Sequence, residues 1–277
     1  MADDGFGGRT VLVTGGTKGI GAGIARRFLL AGADVIVCGR MEPPRPVAAG
    51  ERAAVFVGAD VREPAQVDRL VAAAVEATGR LDVVVNNAGG APYAEAATAS
   101  PGFHQKIVAL NLVAPLLVSQ RANEVMQRQG GGSIIMIGSV SGLRPSPGTA
   151  AYGAAKAGLH HLAASLAVEW APKVRVNSVV AGPVDTGPPA LHYGDATGVA
   201  AVAATIPMGR LGTPDDIAEA CLFLSSPGSA YVTGASLLLH GGGEVPAFLA
   251  AANVQHTHAP AHRPAPGTED ARPGPQG

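Results

Sequence analysis

The chain has 277 residues, of which 47% are hydrophobic and 15% charged, with a formal net charge of −1. Its length and apolar content suit one α/β core of ordinary size, and the balanced charge offers no basic excess for nucleic acid or an anionic membrane surface. Two cysteines, Cys38 and Cys221, cannot build a disulfide framework and lack metal-ligand spacing, so a reducing cytoplasm is expected and no metal site is.

The amino terminus, Met1-Ala2-Asp3-Asp4-Gly5, is acidic and lacks the apolar run of a signal peptide. Thr10 to Val13 reads as a buried strand, followed by a Gly-rich turn and a helix from Gly21 to Ala31. Asp34 to Cys38, Ala53 to Val57 and Leu81 to Val85 read as three further strands. Glu63 to Thr78 has a helical pattern, with Pro64 suited to a first turn. Phe103 to Gln129 reads as a long helix, Ser133 to Ile137 as a strand, and Ala150 to Ala171 as a helix. Val174 to Val180 is a strand, Asp215 to Ser225 a helix introduced by Thr213-Pro214, and Ala235 to Leu239 the last strand. No apolar run is expected to reach the length of a membrane span. Alternating strands and helices with continuous apolar strands predict a doubly wound α/β domain, its parallel sheet of about seven strands covered on both faces. Ligands of such sheets bind beyond the carboxyl ends of the strands, where the strand order reverses.

Two stretches depart from the alternation. Met41 to Gly50 contains three prolines where a crossover helix would fall, so an irregular connection is expected. From about Val254 the chain is rich in Pro, Gly, Ala and His, which predicts a folded domain over 1–253 and a disordered tail over 254–277. His256, His258 and His262 in that tail have no Cys or carboxylate partner to complete a metal site.

The turn Thr14-Gly15-Gly16-Thr17-Lys18-Gly19-Ile20-Gly21 lies between the first strand and the first helix. Its glycines allow close backbone approach, and a helix N-terminus presents free N–H groups to a pyrophosphate. The spacing Gly-x-x-x-Gly-x-Gly differs from the Gly-x-Gly-x-x-Gly fingerprint, and position rather than spacing carries the inference. Dinucleotide folds usually end the second strand with an acidic residue for the ribose 2′-hydroxyl; here Gly39-Arg40 stands instead. Arg40 and Lys18 put two cations where a 2′-phosphate would lie, so NADP(H) is expected to be preferred, with NAD(H) as the alternative.

Tyr152 and Lys156 are spaced i and i+4, which puts them on one helix face with Cβ atoms about 5–6 Å apart. An ammonium beside a phenol favours the phenolate, and the nearby Ser139 hydroxyl can polarise a carbonyl. With these three and the cradle in one chain, the sequence resembles the short-chain dehydrogenases/reductases, including members like the 3-oxoacyl-[acyl-carrier-protein] reductases, from about Arg9 to Gly243. Asp60-Val61, Asn86-Asn87-Ala88-Gly89, Asn111 and Gly182-Pro183-Val184-Asp185-Thr186 match that family in order.

The resemblance implies a single Rossmann-type domain that interconverts a ketone and a secondary alcohol by hydride transfer. It implies Tyr152 as general acid or base, Lys156 as its partner and holder of the nicotinamide ribose, and Ser139 on the substrate carbonyl. Gly15, Thr17, Lys18, Gly19, Ile20 and Gly21 would cradle the cofactor, with Arg40 at its phosphate. Asp60 and Val61 would meet the adenine, Asn87, Ala88 and Gly89 line the cofactor, and Val184 and Thr186 meet the nicotinamide amide. Pro115 has no N–H to give the carbonyl of Asn111, which leaves that oxygen free to hold the water of the family's proton relay. Ala181 and His240 depart from the family's usual Pro and Asp.

Specificity is expected from Gly187 to Pro207, Gly90 to Tyr93 and Val140 to Pro147, with His192 and Tyr193 as polar anchors of the first. An apolar lining would suit a 3-oxoacyl thioester, a cyclic ketone or a steroid. Phe103 to Gln129 and Ala150 to Ala171 carry more apolar surface than one sheet face needs, and in the family these helices pair between subunits, implying a homodimer or homotetramer. The alternative is a dinucleotide-binding sensor or scaffold with little turnover; the intact Ser139, Tyr152 and Lys156 set argues against it.

Overall fold

In a computed structural model describing residues 5–187 and 193–247, the apolar runs become strands because helices cover both of their faces. β1 (Thr10–Thr14) leads into α1 (Gly19–Leu30) and β2 (Asp34–Gly39); a small hairpin, β3 (Ala48–Ala49) and β4 (Arg52–Ala53), precedes the edge strand β5 (Val55–Gly58). α2 (Pro64–Thr78) crosses to β6 (Val83–Asn86). α3 (Pro101–Val108), a π-helical turn (Ala109–Val113) and α4 (Ala114–Gln129) then form one uninterrupted helical stretch before β7 (Gly132–Ser139). α5 (Ala150–Trp170), β8 (Val174–Ala181), α6 (Ala196–Ala204), α7 (Pro214–Ser225) and β9 (Ser236–Leu239) follow.

The seven long strands form one parallel sheet in the order β5-β2-β1-β6-β7-β8-β9. The chain winds outward from β1 through β2 to β5, then returns to start β6 on the other side of β1. The order therefore reverses between β1 and β6, the place where a Rossmann-type sheet opens a crevice for its ligand. The register pairs Thr14 with Cys38, Val13 with Val85, and Ser139 with Ala181, which in turn faces Leu239. All the connections that carry sequence motifs thus leave the sheet from one end.

Side-chain alternation divides the core in two. Val11, Val13, Val35, Val37 and Ile135 pack with Ile24, Phe28 and Leu224 of α1 and α7. Leu12, Ile36, Val84, Ile134 and Met136 pack with Leu70, Val118 and Leu159 of α2, α4 and α5. Helix ends follow local rules: Thr213 and Asp216 form a capping box at α7, and Gly79 and Gly130 close α2 and α4 in the left-handed conformation. Residues through Glu244 form one unit, and Val245–Gly277 is set apart as a second. The expected tail over 254–277, with His256, His258 and His262, lies outside the described residues, as does His192.

Four expectations need correction. Met41 to Gly50 has no helix, as its prolines dictate, but its end pairs across a tight turn as β3 with β4. The segment after β8, read as a loop, contains α6, capped where Asp195 accepts from the Gly198 N–H. The long helix is broken in register at Ala109–Val113, where the Ala114 N–H bonds the Ala109 carbonyl five residues back. Finally, Pro101–Gln129 is long and apolar enough to span a membrane by length and composition. Ala114, Val118, Ala122 and Met126 of this stretch are buried against the sheet.

Candidate active site

The cradle is built where the turns after β1 and β6 touch. Gly15 has φ +62°, and a Cβ there would lie 3.0 Å from Ala88 Cα and 3.2 Å from Asn87 Nδ2. A Cβ on Gly21 would sit 2.4 Å from the Gly15 carbonyl oxygen, so only glycine lets α1 start this close to the turn. Thr14 Oγ1 accepts from the Asn87 and Ala88 N–H groups at 3.0 Å each, and Asn87 Nδ2 donates to the carbonyls of Thr14 (2.9 Å) and Gly15 (3.1 Å). Asn87 thus braces the turn with its side chain. At the N-terminus of α1 the cap residue Lys18 contributes no side-chain acceptor, and the first turn (Gly19, Ile20 and Gly21) meets the crevice with the positive end of the helix. Thr186 lies beside it, 3.6 Å from where a Gly19 Cβ would be. Val184 is tied down by a bridge to Gly212. These residues fit a dinucleotide's pyrophosphate and its neighbouring groups.

Past β2, Thr17 leans on Gly39, and Arg40 and Lys18 are exposed. Arg40 is close enough to Asp60 to help hold its carboxyl below the usual range, although the main cause is Arg62. Arg62 grips Asp60 in a two-pronged pair, Nε to Oδ1 at 2.9 Å and Nη2 to Oδ2 at 2.5 Å. The expectation that Asp60 faces an adenine therefore meets a carboxylate that already has a partner. The Val61 side chain is buried under α2, which leaves its backbone to line the crevice.

Across the crevice, Ser139 ends β7, and Tyr152 and Lys156 come from the first turns of α5. The Ser139 hydroxyl lies close enough to the Tyr152 phenol to pull its pKa down, and it accepts from the Ser141 N–H at 3.2 Å. Lys156 is buried, its Nζ donating to the Ile137 carbonyl at 2.7 Å and lying 5.6 Å from the centre of the Tyr152 ring. Burial lowers the Lys156 pKa to about 8. The expected depression of the Tyr152 pKa is not found: burial raises it, outweighing the opposing pull of Ser139. The ammonium is directed at Ile137, and removal of the phenolate from water costs more than these neighbours return.

Asn111 is fully buried inside the π-helical turn. Its side chain exchanges two hydrogen bonds with Gly90, accepting from the N–H at 2.8 Å and donating to the carbonyl at 3.0 Å. Gly89 fits between Asn111 and Lys156, since a Cβ there would be 2.7 Å from Asn111 Oδ1 and 3.4 Å from Lys156 Nζ. The fold thus gathers Asn111, Ser139, Tyr152, Lys156 and Gly89 at one place.

Sequence reasoning named Tyr193 and the segment that holds Arg144, but missed the Arg144–Glu244 pair and His160. Arg144 pairs with Glu244 at 2.6 Å, joining the connection after β7 to the segment beyond β9. The Tyr193 phenol, its pKa raised by burial, lies in the field of Tyr152, Glu244 and Arg144. The expected apolar mouth is therefore polar on this side. His160, one turn beyond Lys156, accepts from the Ser139 N–H with Nε2 at 3.3 Å. An i+4 step along α5 was the only signal for it.

A glycine cradle at the strand-order reversal, facing a Ser–Tyr–Lys set, is the arrangement of a nicotinamide-dependent oxidoreductase. The family described as enoyl-(acyl carrier protein) reductase matches residues 15–244. The chain is 37% identical over 245 residues to the L-rhamnose 1-dehydrogenase (NAD(P)(+)) of Azotobacter vinelandii, covering 84% of this chain and 96% of that one. It is also 37% identical over 250 residues to 3beta-hydroxysteroid dehydrogenase 1 of Eggerthella lenta, covering 87% and 95%. Among solved structures, the ligand-free aldohexose dehydrogenase of Thermoplasma acidophilum superposes with a TM-score of 0.79 at 29% identity, over 95% of this chain and 99% of that one. The chain belongs to the short-chain dehydrogenase/reductase family, and it is an NAD(P)-dependent oxidoreductase.

Proposed function

We propose that this enzyme is an NADP(H)-preferring reductase of cyclic ketones, with Tyr152 as the general acid. The observation that carries it is the Ser139 hydroxyl beside the Tyr152 phenol, with the buried Lys156 ammonium one helical turn on. A phenol with a raised pKa stays protonated at neutral pH, which suits donation to an oxygen gaining negative charge. The dinucleotide, when bound, supplies the hydride that the carbonyl carbon receives. Ser139 hydrogen-bonds the carbonyl oxygen, Tyr152 gives that oxygen its proton, and Lys156 recharges the phenol through a water at the Asn111 carbonyl, to which Pro115 cannot donate. Oxidation of the alcohol runs the same steps backwards.

Gly15, Thr17, Gly19, Ile20 and Gly21 hold the pyrophosphate end, with Asn87, Ala88, Gly89, Val184 and Thr186 toward the nicotinamide. The absence of an acid at the end of β2, with Arg40 and Lys18 exposed there, favours a 2′-phosphate. Asp60 and the Val61 backbone would border the adenine. Arg144, Glu244 and Tyr193 at the mouth favour a ring that carries hydroxyls over a bare acyl chain, and the relatives include an L-rhamnose 1-dehydrogenase and a 3beta-hydroxysteroid dehydrogenase. The catalytic domain spans 1–253, and the buried free thiols Cys38 and Cys221 suit the cytoplasm. A groove of about 620 Å³ between α4 and α5, lined by Leu116, Arg121, Leu162, Leu166 and Trp170, fits pairing of these helices in a homodimer or homotetramer.

Turnover of NADPH and NADH over a panel of cyclic ketones, sugars and steroids tests the assignment, with Tyr152→Phe as control. Equal rates in wild type and Tyr152→Phe would remove Tyr152 from the chemistry. Native mass spectrometry tests the assembly, and a monomer at micromolar concentration would overturn it.

A further inference from the structure

β6 pairs with β7 only as far as Met136, so the last residues of β7 have a strand neighbour on one side alone. Backbone groups left over there need partners. Two come from α5. The Ile137 carbonyl accepts from Lys156 Nζ at 2.7 Å, and the Ser139 N–H donates to His160 Nε2 at 3.3 Å. The helix that carries Tyr152 is thereby pinned to the strand that carries Ser139 by two side chains one turn apart.

The imidazole has a socket made for it. A Cβ on Gly138 would lie 2.3 Å from His160 Nε2, and a Cβ on Gly142 2.9 Å from its Cε1. The residue before Ser139 is thus glycine where a side chain would push the ring away, and Gly142 lets the turn after β7 lie against the α5 backbone at Lys156 and Ala157 beside the ring. Because Nε2 accepts, it carries no proton, and the neutral ring must bear its hydrogen on Nδ1. Nδ1 is buried and has no partner. A buried donor without an acceptor is destabilising, so the ring is not placed here to strengthen the core. Burial and the neighbouring Lys156 both lower the His160 pKa, in keeping with a neutral ring.

We infer that His160 is a positioning residue for the reaction: by accepting the Ser139 N–H, it fixes the peptide that aims the Ser139 hydroxyl at Tyr152 and at the substrate oxygen. This rests on the roles proposed above for Ser139 and Tyr152. Without the acceptor, the Ser139 peptide has no partner on that side and the hydroxyl loses its fixed direction.

Three variants and one spectrum test it. His160→Leu keeps bulk but removes the acceptor, and should lower kcat about tenfold, the scale of one lost hydrogen bond, with the KM for NADPH unchanged. His160→Gln, whose amide oxygen can take the place of Nε2, should recover most of that loss. Nitrogen NMR of the ligand-free wild-type protein should show His160 as the neutral tautomer with hydrogen on Nδ1. Wild-type kcat in His160→Leu while Tyr152→Phe is inactive would overturn the inference, as would equal loss in His160→Gln and His160→Leu, or a ring protonated at Nε2. If Tyr152→Phe itself turned over, the assigned chemistry would fall, while the tautomer would still decide the His160 bond.

Discussion

Lys156 is an ammonium held out of water with one backbone carbonyl for company, and its effect on stability can be separated from its effect on turnover. Burial takes its pKa from an ordinary 10.5 to about 8. A basic group with a depressed pKa binds its proton more weakly in the folded chain than in the unfolded one. Below about pH 8 both forms are protonated, and folding bears the whole cost, about 3 kcal/mol at ~1.36 kcal/mol per pKa unit. Between about pH 8 and 10.5 the unfolded chain holds the extra proton, so the cost is relieved as pH rises. Lys156→Met removes the titration and leaves the Ile137 carbonyl unpaired at every pH, so that loss cancels when two pH values are compared. From pH 7 to pH 10, wild type should gain about 2.5 kcal/mol on the variant, by linkage between those two pKa values. Urea unfolding of both ligand-free proteins at the two pH values measures this double difference. A gap that moves by less than about 0.5 kcal/mol, far below the linkage value, would refute the claim that Lys156 is buried and charged at neutral pH.

Arg40→Asp should reverse the cofactor preference, cutting kcat/KM with NADPH by about 10- to 100-fold, the scale of a lost charge-assisted contact, and sparing NADH; parallel kinetics with both cofactors decide it. Gly89→Ala places a methyl group 2.7 Å from Asn111 Oδ1 and 3.4 Å from Lys156 Nζ, and should cost about 1–3 kcal/mol in thermal unfolding together with most of the activity. An unchanged kcat would separate Asn111 and Lys156 from the reaction. Arg144→Ala breaks a half-exposed ion pair, so stability should move by no more than about 1 kcal/mol while the KM for a hydroxylated ketone rises. A KM that stays constant across the ketone panel would take the Arg144–Glu244 pair out of substrate recognition.

What could be read from the sequence was whatever depended on neighbours along the chain. The turn from Thr14 to Gly21, the missing acid at Gly39-Arg40 and the Tyr152/Lys156 step are all local, and the fold brings them to the same end of the sheet. Pro115 foretold a break in the helical bonding near Asn111, but not that the helix would absorb it as an i→i+5 turn. The direction of the Tyr152 pKa depends on depth of burial, which spacing along a helix does not encode. Arg62 on Asp60 and Arg144 on Glu244 depend on where connections settle, the second across 100 residues of chain. α6 escaped notice because its Ala-rich segment offers no apolar stripe, although Asp195 at its cap was a usable sign.

Tyr152, Lys156 and His160 all project from α5, and two of them clasp β7 directly. The placing of Ser139 against Tyr152 and Lys156 is therefore a property of one helix docked on one strand. The connections after β6, β7 and β8 contribute no covalent link within that unit beyond the single hinge from Ser139 to Thr149. Beyond the glycines that touch Asn111, Lys156 and His160, they can lengthen, shorten or exchange side chains while Tyr152, Lys156 and His160 keep their places against β7. A scaffold divided in this way can change the outer parts of its connections and leave the docked helix and strand as they are.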